Sequence, residues 1–177
     1  GMTPTSQTII GTAFGMDVRE VILDVTPFDF NAGSSDTTFW IRLHTPNTAG
    51  TASYWEATSA STVGNLAAGF DLSTSTWSYP AGWAGLDGVY QFNGTCSEDG
   101  DPPTGGECSQ DFDGTPDNGA GFSDGYVAAN DIVVAGNSTF TLQTITLEVA
   151  ALSGEPSEFD LEIFSDNETG GVGASTG

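Results

Sequence analysis

Residues 140–149 read Phe140-Thr141-Leu142-Gln143-Thr144-Ile145-Thr146-Leu147-Glu148-Val149, a run in which apolar and polar side chains take turns. Side chains on an extended chain point alternately to its two faces, so a period of two puts one face in a core and the other toward water. The alternation also changes phase, because Phe140 and Leu142 occupy even positions and Ile145, Leu147 and Val149 odd ones. One extra residue in one strand of a pair restores the phase, so a bulge is expected near Gln143-Thr144.

The same period recurs on either side. Thr37–His44 sets Phe39, Ile41 and Leu43 on one face and Trp40, Arg42 and His44 on the other. Glu158–Ser165 sets Phe159, Leu161 and Ile163 against Asp160, Glu162 and Phe164. Further strands are expected at Ser6–Phe14, Arg19–Val25, Ser53–Thr58, Gly88–Asn93 and Tyr126–Val134. Val18, Val21, Ile22 and Val25 also fit a helical spacing, but their β-branched content favours a strand. Turn clusters such as Asn31-Ala32-Gly33-Ser34-Ser35-Asp36 and Ser153-Gly154-Glu155-Pro156-Ser157 separate the runs. Many short strands at this spacing, without a long helix, predict an all-β fold: an antiparallel β-sandwich, jelly-roll-like, in one domain over 1–177.

Between two strand-rich halves, 1–95 and 126–177, lies the acidic segment 96–125, which holds both cysteines and few apolar residues. It reads as a long loop or linker. Cys96 and Cys108 bracket a polar Pro/Gly loop with nothing apolar to fix its shape, so a disulfide between them, formed in an oxidising compartment, is expected.

The chain carries 24 Asp and Glu against two Arg and no Lys, a net charge of −22 over 177 residues. Such a surface repels phosphate backbones and anionic headgroups, so neither nucleic-acid binding nor membrane insertion is expected. Cations are the natural small partners. Asp111, Asp113, Asp117, Asn118 and Asp124 supply hard oxygens at short spacing between glycines and are candidate calcium ligands, although the run does not complete an EF-hand pattern. Glu98, Asp99, Asp101 and Glu107 form a second acidic cluster within the cysteine loop.

Lysine chemistry is absent and His44 is the single histidine, so a non-catalytic protein is expected. Trp40, Arg42 and His44 are candidate ligand-face residues, since an aromatic beside polar groups can stack on a sugar. The competing expectation is that Arg42 makes a cross-strand ion pair and Trp40 is covered. The N-x-S/T triplets at Asn93, Asn137 and Asn167 are candidate glycosylation sites.

The stretch Gly125-Tyr126-Val127-Ala128-Ala129-Asn130-Asp131-Ile132-Val133-Val134-Ala135-Gly136, followed by Phe140–Val149 and by Phe159-Asp160-Leu161-Glu162-Ile163-Phe164-Ser165-Asp166-Asn167 with Gly170-Gly171-Val172-Gly173, resembles the first half of a β-sandwich domain of large secreted bacterial surface and anchor proteins. The second half of that pattern stands upstream, in Ser6-Gln7-Thr8, Val18–Val21, Phe39–Leu43, Tyr54-Trp55-Glu56 and Val89–Thr95. Ile132 replaces the usual aromatic, and Asn167-Glu168-Thr169 lengthens a turn. The resemblance implies an extracellular or cell-surface setting and no catalytic residues. The swapped order has three readings: a circular permutation, a frame cut across tandem repeats, or a subunit whose halves complete its neighbours. The third generates open heterologous contacts, and these build filaments. The expected partners are therefore copies of the chain itself in an open homopolymer, with glycans as the alternative partner of an adhesin or spacer module.

Overall fold

The structure, a computed structural model, describes residues 1–46, 52–58, 68–71, 73–74, 76–78, 87–88, 90–98, 107–112, 118–123, 125–152 and 154–165. Two antiparallel sheets account for the strands among them. The larger runs β1 (Ser6–Ala13), β2 (Met16–Asn31), β12 (Ser138–Ala151), β4 (Ser53–Thr58) and β10 (Asn118–Gly121). To it are added β7 (Asp87–Gly88) on β4, β8 (Tyr90–Glu98) on β12, and β9 (Glu107–Phe112) outside β8. The smaller runs β13 (Asp160–Ser165), β3 (Thr37–His44), β11 (Tyr126–Val134), β5 (Ala68–Asp71) and β6 (Thr76–Ser78).

Strand β12 is the hub. One edge pairs with β2, and the other with β8 up to Leu147 and with β4 from Val149. Its register slips between Leu142 and Thr144 against both β2 and β8, so the bulge expected from the change of phase is present. On the β2 side Leu142 faces Phe28 and Thr144 faces Asp24, which leaves Val25, Thr26 and Pro27 opposite Gln143. Proline has no N–H to give a ladder, and it lies where the ladder is broken. On the β8 side the same irregularity brings the Thr141 carbonyl so near Gly94 that a Cβ there would stand 1.9 Å from it. Glycine alone fits.

The two sheets close on a core to which both contribute. Val21, Leu23, Phe30, Trp55, Phe92, Ile145, Leu147 and Val149 face inward from the larger sheet, and Ile41, Leu43, Ala128 and Ile132 from the smaller. Each fully buried large side chain contributes about 1.5–3 kcal/mol relative to exposure, which is enough to fix the register of every strand named. At one end the β2–β3 and β11–β12 turns lock together: Gly136 N–H donates to the Asp36 carboxylate at 2.9 Å, and a Cβ on Gly136 would meet the Ser35 backbone at 2.8 Å.

Segment 96–125 is not the linker its composition suggests. It contains the end of β8 and all of β9 and β10, and Phe122 is fully buried in the core. Thr45 N–H donates to the Phe122 carbonyl, and Phe122 N–H to the Ser53 carbonyl. Backbone pairing needs no apolar side chains, so a polar sequence can still form sheet-edge strands around one aromatic anchor. The halves 1–95 and 126–177 interleave in both sheets, β2 with β12 and β3 with β11 and β13.

Candidate functional site

Three places carry features that packing alone does not explain. The first is the β1–β2 hairpin. β1 is the terminal strand of the larger sheet, and no strand pairs with its outer backbone edge among the described residues. Ile9 and Ile10, at the irregularity in the β1–β2 ladder, are 53% and 48% exposed. The hairpin turn is Phe14-Gly15, both at positive φ, 53° and 78°. That geometry suits Asn-Gly, whereas a bulky aromatic in the left-handed region is strained, and Phe14 is 62% exposed. No Asp or Glu precedes Asp17, so this edge is uncharged in a chain of net charge −22.

The second is the outer face of the smaller sheet, where Trp40, Arg42 and His44 were expected to lie together. β3 does place them on one face, but Trp40 is fully buried against Ala68 of β5 and Ala129 of β11, whose small side chains leave room for the indole. Trp40 is therefore no stacking platform. Arg42 pairs across strands with Glu162 of β13, as the competing expectation had it. His44 Nδ1 lies 3.6 Å from the Asp160 carboxylate. Arg42, His44, Val127, Asp160, Leu161 and Glu162 line a shallow groove of about 360 Å³. The Arg42–Glu162 pair occupies one side of it, and the 3.6 Å between His44 and Asp160 is longer than a hydrogen bond.

The third place escapes a reading of the sequence. Glu56 of β4 is fully buried, and neither carboxylate oxygen has a hydrogen-bond partner among the described residues. Burial first, and the charge of Glu148 second, push its pKa up to about 7. Glu148 faces Glu20 across β12 and β2, and Val149 faces Trp55 across β12 and β4. Glu20, Glu148 and Glu56 therefore form a row across three adjacent strands on the outer face. Directly opposed like charges destabilise a sheet. The only signal in the sequence is one Glu within each of three strands, and register alone aligns them.

Of the candidate calcium ligands, Asp111 lies in β9 opposite Gln91 and Asn118 in β10 opposite Ala57, so these two belong to paired strands and not to an open loop. Asp113, Asp117 and Asp124 lie outside the described residues, as do Asp99 and Asp101 of the cysteine loop. Cys108 stands opposite Gly94 in the register of the β8–β9 ladder, and no cysteine is free among the described residues. Asn137 is exposed in the β11–β12 turn with φ 58°. Asn93 instead lies within β8, half-buried and flanked by Thr144 and Ser109. Asn167 lies outside the described residues. No family, curated protein or solved structure matches the chain.

Proposed function

We propose that this protein is a structural subunit of an extracellular filament or surface array, built by strand pairing between neighbouring copies, and that it acts through assembly and not catalysis. The observation that carries this reading is the uncharged open edge of β1, with Ile9, Ile10 and the strained Phe14 exposed on it. An exposed edge strand is a template for another chain, and soluble proteins ordinarily blunt it with charge, proline or cover. β1 bears no charge and no proline. The reading also takes the connectivity as jelly-roll-like, since the chain crosses between sheets from β2 to β3, β11 to β12 and β12 to β13. It further includes a Cys96–Cys108 bridge holding the β8–β9 hairpin and calcium held by the segment around Asp111 and Asn118; the similarity to secreted surface domains supports an oxidising, calcium-containing setting.

The test is electron microscopy of the purified full chain and of a variant lacking residues 1–14. The removed residues are mostly exposed, so the core should survive. Fibres or arrays from the full chain and dispersed particles from the truncated one are expected. Normal assembly of the truncated chain, or none by the full chain, would sink the proposal. A second reading, a non-catalytic carbohydrate-binding or adhesin module, draws on the groove of Arg42, His44 and Asp160. Glycan-array binding that disappears in Arg42→Ala would favour it.

A further inference from the structure

We propose that Glu56 and Glu148 hold a divalent metal cation of the calcium class on the outer face of the larger sheet. Each Glu56 oxygen is cut off from solvent and lacks a hydrogen-bond partner among the described residues. A carboxylate in that state needs a proton or a counter-charge, because burying an unpaired charge costs several kcal/mol.

The chain cannot supply the counter-charge from its side chains. It has no lysine, and its two arginines and one histidine are engaged elsewhere. Arg19 pairs with Glu155 and Asp17, Arg42 with Glu162, and His44 lies beside Asp160. The groups facing Glu56 make matters worse: β12 brings Glu148, beyond it β2 brings Glu20, and β10 presents Gly119 opposite. The counter-charge that remains is an inorganic cation, which would displace the proton. Two carboxylates offer up to four hard oxygens, and calcium accepts water for the rest of its six to eight positions. The site lies where the ladder on β12 passes from β8 to β4, so its two carboxylates are carried by strands anchored in the core through Trp55, Leu147 and Val149. None of these residues belongs to the acidic run around Asp111.

The experiment is calorimetric titration of the chelator-stripped full chain with calcium chloride, at an ionic strength high enough to suppress diffuse attraction to a surface of −22. Variants Glu56→Gln, Glu148→Gln, Glu158→Gln and Asp111→Asn are run beside it, with circular dichroism to confirm the fold. Glu56→Gln removes a buried charge while keeping shape, so it should fold at least as well as the parent. The expected result is a saturable site weakened at least tenfold by Glu56→Gln and by Glu148→Gln and unchanged by Glu158→Gln and Asp111→Asn, separate from the binding proposed around Asp111, which Asp111→Asn alone would remove. The melting temperature of the parent should rise with calcium, and that rise should vanish in Glu56→Gln. An isotherm in Glu56→Gln matching the parent's, or saturable binding lost only in Asp111→Asn, overturns the proposal.

Discussion

At the scale of single residues, strain and desolvation mark where the chain departs from what stability alone would select. Glu56, in the metal-free protein, has its pKa raised from 4.5 to about 7, so the folded form keeps a proton that the unfolded chain releases between those values. The associated stability is complete below pH 4.5, declines as pH rises, and is lost above about 7. Glutamine does not titrate. The stability of Glu56→Gln relative to the parent should therefore increase from pH 4.5 to 8, by about 1–3 kcal/mol once partial solvent screening is allowed. Denaturant melts at a series of pH values in chelator measure this, and a difference that stays flat contradicts it. Phe14 shows the opposite kind of cost, since its exposed ring gains nothing in the monomer while its backbone occupies a left-handed turn. Phe14→Asn should raise monomer stability by about 0.5–1 kcal/mol and reduce self-association. Lower stability with unchanged association would show that the ring packs on its own chain. Trp40→Ala is a core truncation and should cost about 3–5 kcal/mol by thermal melting, so any glycan binding it abolished would reflect unfolding.

At the scale of elements, the bulge on β12 sets a prediction that two glycines decide between them. Gly94→Ala drives a methyl group into the Thr141 carbonyl, while Gly11→Ala, in the irregular part of β1, meets nothing within 4 Å. The first should destabilise by about 1–3 kcal/mol and the second by under about 0.5. Equal effects in equilibrium unfolding would mean that β8 can move away from β12 freely. This bulge was legible in the phase change at Gln143-Thr144, and β3, β4 and β11 keep the bounds expected of them, although Trp40, Glu56 and Ala129 are buried on the face turned away from the core, which polarity along one strand does not report. β9 and β10 were not legible, since neither Glu107–Phe112 nor Asn118–Gly121 carries an alternation of apolar and polar residues. Trp40 was placed on the correct face, but alternation within one strand says nothing of what covers that face, and Ala68 and Ala129 come from β5 and β11. The glutamate row was hidden for a related reason: it is a property of register between strands far apart in the chain.

At the scale of the whole molecule, charge and edge oppose each other. A copy of net charge −22 repels its neighbour over roughly a Debye length, about 10 Å at 0.1 M salt and 3 Å at 1 M, whereas strand pairing at β1 acts only at contact. The uncharged stretch before Asp17 lets two edges meet without an acid directly opposite an acid, but the rest of the surface still slows their approach. Assembly, followed by light scattering, should therefore accelerate steeply as sodium chloride is raised, in the full chain and not in the chain lacking residues 1–14. Calcium at matched ionic strength should accelerate it further if cations also neutralise sites within each subunit, and Glu56→Gln should keep the sodium response while losing part of the calcium response. A rate that falls with added salt would mean that attraction between charged groups drives the contact, and the β1 edge would then be the wrong surface. A rate indifferent to salt would place the contact beyond the reach of the chain's own charge, which a surface this acidic does not permit for an edge as close to Asp17 and Glu20 as β1 is.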